Sequence, residues 1–519
     1  MQNFRDMQFA DAGGVQPAVA LAPGGRPLLL PLVFTAALAG LALLPRAHAN
    51  QNVLWSFLGA AAALALWNAA LFVSARGRKL SIEVVLRKRH YIQACAQGSV
   101  LVYWGWYWPQ VYASAHLLLA QLLFAYAFDM LLSWSRRDAY TLGFAPFPVI
   151  FSINLFLWFK PDWFYLQFVM VALGFAAKEL IRWNKEGKRA HIFNPSSFPL
   201  AVVSLILILT HSSGLTWGQE IASTQFYPPH IYLMLFLIGL PGQFFFGVTS
   251  MTMSAVVATY LFGRLYFAAT GVYFFYDSYI PISVFLGMHL LFLDPSTSPR
   301  TELGRILYGA MYGLSTVLFY RLLGMAGMPT FYDKLLPVPL LNLTIKGIDA
   351  AARSVHQWAT KTTWPTWRRN LAYMTVWALV FAGLSATRAL GDDHPGQWLP
   401  FWLRACQEGR AHACPYVADW TTSFCDRGSG WACNTAGMLQ RDVELLRRGC
   451  GLGFRPACRN LATLTSGTGD FVTAPPTPYD YPVILRGSKG EIRERDPAAL
   501  RALACREGWP DACSTPTAR

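Results

Sequence analysis

Charged side chains are scarce along this chain. Only 14% of its 519 residues are Asp, Glu, Lys or Arg, whereas 54% are hydrophobic and the mean hydropathy is positive. A soluble chain carries charge on about a quarter of its residues. The composition therefore excludes an ordinary soluble globular protein.

Cysteine is almost absent from the first 400 residues, where Cys95 is the single example. The sequence has no iron–sulfur cysteine pattern, haem-attachment motif, Walker A loop or zinc-hydrolase motif, and no NADH site is recognisable. No catalytic residue and no metal ligand is predicted. Cys95 itself is expected to be a small buried residue.

Apolar residues are gathered in long blocks rather than in amphipathic stripes. Blocks of about 18 to 25 residues can cross a bilayer as helices. Pro109 favours a break between the third and fourth blocks, and three prolines interrupt the twelfth. The blocks predict about thirteen spans, at 27–45, 54–74, 91–107, 109–133, 142–158, 163–182, 197–212, 229–247, 250–275, 280–294, 306–325, 328–345 and 371–388.

Basic residues alternate between the two sides of these predicted spans. They concentrate at 76–89, 136–137, 178–189, 300–305 and 346–369, while the opposite loops hold little beyond Arg46 and Lys160. Lys and Arg are enriched on the cytoplasmic side of membrane proteins. The pattern predicts a bacterial inner-membrane protein with a cytoplasmic N-terminus and an extracytoplasmic C-terminal domain. It also explains the net charge of +15 without nucleic acid.

The first predicted span has an alternative interpretation. Arg26, the apolar run 28–44 and the small residues around His48 resemble a signal peptide with its cleavage site. Cleavage there would remove one span and leave the remaining topology unchanged.

Eight cysteines follow residue 400, in four copies of the pattern C-x-x-G-x-x-x-A-C. Such a repeat predicts short helical hairpins stacked as a solenoid. Zinc sites favour cysteines two to four residues apart, so the eight-residue step and the extracytoplasmic location favour disulfides over metal. The pairs are Cys406 and Cys414, Cys425 and Cys433, Cys450 and Cys458, and Cys505 and Cys513. Proline-rich sequence between 466 and 500 predicts an insertion before the last pair.

Two short motifs in the apolar part combine Asn or Asp with a following proline. Asn194-Pro195-Ser196 precedes one predicted span, and Asp294-Pro295-Ser296 closes another. An Asx side chain before proline caps a helix that starts at the proline. Broken helices in both halves of a chain indicate an inverted-repeat membrane fold with a site near their ends. Their N-termini favour an anion or an electron-rich cofactor.

These motifs resemble those of a known family. Residues 85–350 are similar to RnfD, a membrane component of the Rnf electron-transport complex, and to its relative NqrB, a component of the sodium-pumping NADH:quinone reductase. The family's F-N-P-A element matches 193–196. Its second element, T-D-P-V-T-A-x-x-T-x-x-G-R-x-I-[FY]-G, matches 293–309, including Thr297, Arg305 and Gly309, and 332–349 resembles its last helix. The C-terminal pattern resembles cysteine-rich Sel1-like repeats, in which each pair bridges the two helices of a hairpin.

The resemblance implies a redox role with FMN as cofactor. In the family, the FMN phosphate is attached to a threonine of an S-G-A-T-like motif on the outer face. The matching loop here is 213–228, with Ser223 and Thr224 in the sequence Ile-Ala-Ser-Thr, and Thr224 matches the modified threonine. The alternative is that both hydroxyls merely cap the next helix. Asn194, Asp294, Thr297 and Arg305 are the other residues expected to face the cofactor.

Charged and polar residues within predicted spans carry two interpretations. Asp129, Arg264, His289 and Asp294 either line a proton or ion path or occupy interfacial positions. Trp104, Trp106 and Trp108 are expected to form an aromatic belt at the outer membrane surface.

The predicted fold is all-α, an inverted-repeat membrane core followed by a disulfide-stapled repeat domain. Its parts are an N-terminal extension with two spans at 1–80, the RnfD/NqrB-like membrane domain at 81–350, a cytoplasmic linker and last span at 351–390, and extracytoplasmic repeats at 391–519. Three functions follow: a flavin-carrying electron-transport subunit with other redox subunits as partners, a transporter or channel of the same fold without flavin, and an anchor that presents a protein-binding repeat domain.

Overall fold

A computed structural model of the chain describes residues 26–185, 187–356, 366–392, 394–485, 492 and 494–513. Within them the chain is mainly helical, as predicted, and its β-structure consists of two short strand pairs. The first 25 residues of the predicted N-terminal extension and residues 357–365 of the predicted linker lie outside the described residues.

The chain forms two compact units. Unit 1 comprises Met1–Thr259 and Ile282–Ala382, and unit 2 comprises Tyr260–Pro281 and Gly383–Arg519. The second boundary lies near the predicted start of the repeat domain. The grouping of Tyr260–Pro281 with the C-terminal residues is a feature that the sequence did not predict.

The helices up to the end of unit 1 range from single turns to 24 residues. They are α1 (Leu29–Gly40), α2 (Pro45–His48), α3 (Gln51–Ser74), α4 (Lys88–Tyr107), α5 (Gln110–Ala113), α6 (Ala115–Trp134), α7 (Pro146–Asn154), α8 (Tyr165–Leu180), α9 (Ser197–Leu209), α10 (Gly218–Thr224), α11 (Ile231–Phe246), α12 (Thr249–Thr270), α13 (Ile282–Leu286), α14 (Glu302–Met325), α15 (Pro337–His356) and α16 (Thr366–Ala386). A π-helical turn, Gly287–Leu291, continues α13.

The strands pair at two places in unit 1. Strand β1 (Ser81–Val84) pairs in parallel with β2 (Ala139–Leu142), and β3 (Arg182–Lys185) pairs antiparallel with β4 (Lys188–His191). The β1–β2 pair encloses the chain from α4 to α6, so it brings the two ends of that stretch together. An ion pair between Arg78 and Asp138, at 2.6 Å, adds to this closure.

Helices α3 and α14 of unit 1 begin with side-chain caps. The Asn50 side chain accepts hydrogen bonds from the backbone of Asn52 and Val53 at the start of α3, and Thr301 accepts one from Gly304 at the start of α14. Capping of this kind satisfies backbone donors that a helix leaves free in its first turn. Proline at 109 separates α4 from the helices that follow it.

Small residues allow α12 and α14 to approach closely. A Cβ atom at Gly309 would meet the backbone of Met251, and one at Gly313 would meet the backbone of Ala255. Small residues permit such close packing between apolar helices. Gly309 belongs to the second motif, so its place in the sequence has a packing reason.

Four helical segments among the described residues are long and apolar enough to cross a membrane: Gln51–Ser74, Ala115–Trp134, Glu302–Met325 and Thr330–Ser354. Four shorter apolar helical segments lie at Leu29–Leu43, Ser197–Leu209, Ile231–Phe246 and Ile282–Leu291. The predicted span at 142–158 contains only the nine residues of α7. The larger number of crossings stays a prediction, because several apolar blocks fold as helices shorter than a bilayer requires.

Unit 2 contains the repeats. Its remaining helices are α17 (Leu399–Gln407), α18 (Ala413–Asp426), α19 (Gly430–Gln440), α20 (Val443–Gly451), α21 (Arg455–Ser466), α22 (Tyr481–Ile484), α23 (Pro497–Arg506) and α24 (Pro510–Cys513). The four predicted disulfides are confirmed: Cys406–Cys414, Cys425–Cys433, Cys450–Cys458 and Cys505–Cys513. Each links the end of one helix to the start of the next.

The repeated pattern has a physical reason at each position. Its glycine lies at positive φ in all four copies, between +67° and +97°. A residue in this left-handed region ends a helix, and glycine adopts it without steric cost. The alanine is buried in the first turn of the following helix. The pattern therefore encodes a helix end, a turn and a covalent staple.

Tyr260–Pro281 packs on these repeats within unit 2. Tyr276 stacks on Tyr416 with ring centroids 3.9 Å apart, and Tyr273 lies 4.9 Å from Phe401. Aromatic contacts of this kind bury large surfaces. They explain why residues 260–281 belong to the same compact unit as the repeats.

Candidate functional site

The two Asx-Pro-Ser motifs fold into the same local structure. Asn194 Oδ1 accepts hydrogen bonds from the backbone N–H and the hydroxyl of Ser196, at 3.0 and 2.8 Å. Asp294 Oδ1 accepts the corresponding bonds from Ser296, at 3.0 and 2.6 Å. We call residues 194–196 the first turn and 294–296 the second turn. Segments 100 positions apart thus form matching turns. Each turn has the Asx cap that its motif predicts.

The two turns also lie together. Asn194 Nδ2 donates to the Leu291 carbonyl at 2.9 Å, and the Asn194 backbone N–H donates to Asn342 Oδ1 at 3.1 Å. The Asn342 amide in turn donates to the Thr297 carbonyl, at 3.2 Å, and to the Tyr308 hydroxyl, at 2.9 Å. Asn342 is fully buried and ties both turns to α15. It was noticed only as part of a resembling segment and was missed as a site residue.

His191 connects the second turn to the end of β4. Its Nε2 lies 3.3 Å from Asp294 Oδ2 and 2.9 Å from the Ser296 hydroxyl. A hydrogen bond to carboxylate fixes the orientation of an imidazole ring. The segment before the first turn is thereby held against the second turn.

A cavity of about 450 Å³ opens beside the two turns. Ligand pockets for small molecules commonly have volumes of about 300–1,000 Å³. We call it the basic cavity. Its polar and charged lining residues are Arg87, Arg89, His90, Gln93, Asp129, Arg137, Thr141, Lys178, His191, Asn194, Ser196, Asp294 and Ser296.

Positive charge exceeds negative charge in this lining. Two arginines, Arg87 and Arg89, come from the start of α4, and Arg137 and Lys178 come from the ends of α6 and α8. The acidic side chains are Asp129, which lies 3.6 Å from Lys178, and Asp294. The balance favours an anionic ligand.

Arg89 has spare hydrogen-bonding capacity in this cavity. Its Nε is buried and finds no hydrogen-bond partner among the described residues. A buried donor without a partner is costly, and a guanidinium is suited to bidentate binding of phosphate. Arg89 is therefore the side chain in the cavity best prepared for a phosphate oxygen.

His90 contributes no positive charge near neutral pH. Burial, and then the nearby Arg89, Lys178 and Arg87, lower the pKa of His90 to about 4. The imidazole is therefore neutral, since desolvation and like charges both disfavour its protonated form. The positive charge of the cavity comes from arginine and lysine.

Thr297 and Arg305 lie behind the turns rather than in the lining of the cavity. The Thr297 hydroxyl donates to the Asp294 carbonyl at 3.4 Å. Arg305 donates to the carbonyls of Gly247, at 2.7 Å, and Pro299, at 3.1 Å. These bonds fix the backbone that follows the second turn. Of the four residues expected to face the cofactor here, Asn194 and Asp294 line the basic cavity.

Ser223 and Thr224 lie at the last turn of α10 and differ sharply in exposure. Thr224 is 5% exposed, and its hydroxyl accepts a hydrogen bond from Trp104 Nε1 at 3.2 Å. Ser223 is exposed, and its hydroxyl donates to the Glu220 carbonyl at 3.1 Å. The residue that matches the modified threonine is thus the less accessible of the two hydroxyls.

Trp104, which contacts Thr224, belongs to a group of four tryptophans. Trp104 lies 5.1 Å from Trp108 and 5.7 Å from Trp158 between ring centroids, and Trp108 stacks on Trp158 at 5.6 Å. Trp217 approaches Trp108 edge-on at 6.3 Å. We call these four rings the tryptophan cluster. Aromatic faces at such spacing suit stacking with a planar ring system.

The aromatic belt prediction is wrong for Trp104. This side chain is buried between Thr224 and the neighbouring tryptophans, because its indole N–H finds an acceptor inside unit 1. Trp106 is 75% exposed, and its place in the belt stays a prediction. The prediction for Cys95 is also wrong, because Cys95 lies on an exposed position of α4.

The basic cavity and the tryptophan cluster lie at opposite ends of α4. Arg89 stands in the first turn of this helix, and Trp104 stands fifteen positions later, near its end. At about 1.5 Å per residue, the two positions are roughly 22 Å apart along the axis. Unit 1 therefore has two separate places at which ligand chemistry is concentrated.

Other polar groups in unit 1 are buried between these ends. Gln121, Asn154 and Gln167 form a network of amide hydrogen bonds of 2.7–3.0 Å. His289 lies in the π-helical turn, and its Nε2 and both amide atoms of Gln243 find no partner among the described residues. A cavity of about 20 Å³ lies beside His289. It can hold one water molecule.

The remaining in-span candidates have partners. Asp129 also accepts a hydrogen bond from the Tyr140 hydroxyl at 3.3 Å, and Arg264 donates to the Tyr279 hydroxyl at 2.9 Å in unit 2. Among the residues that the structure describes, no group of three or more His, Cys, Asp or Glu side chains could hold a metal ion.

Comparisons with known proteins leave the family open. No family model matches the chain, and neither the curated proteins nor the solved structures contain a match.

Proposed function

We propose that this chain is a membrane-embedded electron-transport subunit that carries flavin, in line with its resemblance to RnfD and NqrB. The observation that carries the proposal is the meeting of two matched turns, from separate parts of the chain, at one cavity in which four Arg and Lys side chains outnumber two acidic ones. Sites formed by broken helices of two repeats are typical of membrane proteins with a central ligand.

The basic cavity suits the chemistry of FMN. Arg89 supplies an unpartnered donor for a phosphate oxygen, and Arg137 and Lys178 add positive charge. Asn194 and Asp294 supply the polar wall that would face an isoalloxazine ring. A bound flavin supplies electron transfer, and the protein's part is to hold and orient it.

The turn 223–224 is the proposed place of a covalently attached FMN, which is a separate flavin from one bound in the basic cavity, because the two places lie roughly 22 Å apart along α4. Its support is the sequence match to the family loop and the tryptophan cluster beside Thr224, which offers stacking surfaces. Because the Thr224 hydroxyl is buried against Trp104, attachment there requires the end of α10 to open during modification. Ser223 needs no such opening.

The proposed location is the bacterial inner membrane, with the N-terminus cytoplasmic and the repeats extracytoplasmic. Arg and Lys residues of the basic cavity come from sequence segments that the charge distribution assigns to the cytoplasm. The disulfides of unit 2 suit an oxidising compartment. Other redox subunits would supply and accept the electrons.

The first experiment tests the attached flavin. The protein is purified from a host that supplies a flavin transferase, and intact mass and in-gel fluorescence are measured after denaturation. We expect the mass of one FMN, lost in Thr224→Val and kept in Ser223→Ala. Trp104→Phe, which removes the indole N–H but keeps the Thr224 hydroxyl, is the matched control and should remain flavinylated. Loss in Ser223→Ala alone would move the attachment to Ser223.

The second experiment tests the basic cavity with added FMN. Arg89→Gln should weaken non-covalent FMN binding by about tenfold, the effect of one charge-assisted bond. Arg136→Gln, an exposed position outside the cavity lining, should leave the affinity unchanged. Equal FMN affinity in the two variants would contradict binding of the FMN phosphate in the basic cavity.

A transporter or channel without flavin is the second candidate. The observation that favours it is the unpartnered His289 and Gln243, since the small cavity beside His289 shares Gln93 and Phe246 with the basic cavity. Polar groups inside a membrane mark ion or substrate paths. Protein without any flavin, from a host that modifies similar proteins, would favour this candidate.

A further inference from the structure

An irregular segment contacts the repeat helices of unit 2. It runs from Asp470 to Asp480, between the end of α21 and the start of α22, and has the sequence D-F-V-T-A-P-P-T-P-Y-D. It forms neither helix nor strand. We call it the strap.

Asn460 of α21 binds the strap through one residue's backbone. The Val472 N–H donates to Asn460 Oδ1 at 2.6 Å, and Asn460 Nδ2 donates to the Val472 carbonyl at 2.9 Å. A side-chain amide offers one acceptor and a pair of donors, so it can pair with both backbone groups of a single extended residue. The Val472 side chain itself is exposed, so Asn460 binds the backbone of this residue and not its side chain.

The binding amide is held ready by its neighbours. Asn460 is fully buried, and its Nδ2 also donates to Asn434 Oδ1 of α19 at 2.8 Å. Asn434 is buried as well. Helices α19 and α21 thus hold the Asn460 amide in a buried position, where a donor or acceptor without a hydrogen-bond partner costs free energy.

Trp431 makes a second backbone contact two residues further along. Its indole N–H donates to the Ala474 carbonyl at 3.0 Å, while its ring is buried against Trp509 at 5.4 Å. Pro476 of the strap is buried, whereas its neighbour Pro475 is exposed. Prolines favour the extended conformation that these contacts require.

Asp480 anchors the end of the strap. Its Oδ1 accepts hydrogen bonds from the Ser429 hydroxyl, at 2.6 Å, and from the backbone N–H of Trp431, at 3.1 Å. Its Oδ2 accepts one from the backbone N–H of Thr477, at 2.9 Å. Between the anchors, Val472, Thr473, Pro475 and Tyr479 are exposed, Tyr479 by 89%. A segment with so much exposed surface opens at lower cost than the helices beneath it.

From these contacts we infer that the groove formed by α19 and α21 is a peptide-binding site, and that the strap occupies it as an internal competitor. The partner is an extended, uncharged, proline-containing peptide segment with a carboxylate after it. A partner displaces the strap, because Asn460 and Trp431 need a backbone ligand and accept any chain with the same pattern. Proline-rich segments bind such grooves at low entropic cost.

The first test measures binding of a synthetic peptide with the strap sequence. Residues 470–479 are replaced by a Gly-Ser segment with proline at position 472, which offers Asn460 no backbone N–H, and Asp480 is retained because it contacts the start of α19. The full chain is kept in detergent, and fluorescence anisotropy follows a labelled peptide of residues 469–481. The released variant should bind it at least about tenfold more tightly than the natural chain, which must first free the groove.

Two controls assign the site. A peptide with proline in place of Val472 lacks the N–H that Asn460 accepts and should lose binding. Asn460→Ala in the released variant should abolish binding, whereas Gln440→Ala, an exposed amide on α19, should not change it. Intact mass under non-reducing conditions checks that the four disulfides remain. Absence of peptide binding in a released variant with all four disulfides would overturn the inference.

A second test needs no variant. Hydrogen exchange of the natural chain is followed with and without excess peptide, at the amides of Val472 and Thr477, which donate within the site. Exchange at both should accelerate with the strap peptide and not with the proline-substituted one. Unchanged exchange at a saturating peptide concentration would show that the strap is a fixed part of unit 2.

Discussion

Units 1 and 2 achieve a defined arrangement by opposite means. In unit 2, each staple joins cysteines eight positions apart, so every turn is fixed by neighbours in sequence. In unit 1, the two turns are joined by Asn342, which lies 148 positions from Asn194. The difference teaches that the stapled turns of unit 2 are specified locally, whereas the candidate site of unit 1 exists only when distant parts of the chain have folded.

Reduction of the disulfides should produce the largest difference in hydrogen exchange between the two units. Each staple contributes about 2–3 kcal/mol for a loop of this length, and unit 2 has four. With dithiothreitol, hydrogen exchange in α17–α21 should therefore approach that of an unfolded chain. Exchange in α4 and α14 should stay slow, since neither helix contains a disulfide. Parallel loss of protection in both units would contradict the separation.

Replacement of Asn342 should produce the converse effect. Asn342→Ala leaves the Asn194 N–H, the Thr297 carbonyl and the Tyr308 hydroxyl without this partner inside a buried site. We expect unit 1 to lose about 2–4 kcal/mol of unfolding free energy and FMN binding to weaken. Thr344→Ala on the same helix is the matched control, with an expected loss below about 1 kcal/mol. Thermal unfolding monitored by tryptophan fluorescence measures both, and equal losses would refute the linking role of Asn342.

A glycine exchange within unit 2 should give the smallest effect and a local one. Gly428 has φ of +97°, so Gly428→Ala is strained and should cost about 1–2 kcal/mol. Gly451 has no positive φ, and no neighbouring atom lies within 4 Å of the position that a methyl group would take, so Gly451→Ala should be neutral or slightly stabilising. Chemical denaturation followed by circular dichroism compares them. A larger effect of Gly451→Ala would show that the turns are not the local determinants of the repeats.

The repeats could be predicted well because their determinants are close in sequence. Cys406, Gly409 and Cys414 specify a helix end, a left-handed turn and a staple within nine positions. The local form of the turns at Asn194 and Asp294 was predictable for the same reason. The lengths of the apolar helices were less predictable, because an apolar block such as 142–158 does not reveal that only part of it is helical.

The assembly of the candidate site could not be predicted from local pattern. Nothing near Asn342 in sequence indicates that its amide joins two turns, and nothing near Arg89 indicates a buried Nε in a cavity. The position of Thr224 beneath Trp104 likewise depends on a contact over 120 positions. Such features arise from tertiary packing, and hydrophobic patterns carry no information on which polar groups will meet.

The parallel pair β1–β2 positions the basic residues that flank it in the basic cavity. Arg87 and Arg89 follow β1, Arg137 precedes β2, and the pairing aligns Ser81 with Ala139 and Val84 with Leu142. The ladder thus holds mutually repelling guanidinium groups at one mouth. Because successive strand residues point to opposite faces, a slip of one residue would turn each side chain of that strand over. The positions of the charges in the cavity therefore depend on the register of four paired residues as well as on the arginines themselves.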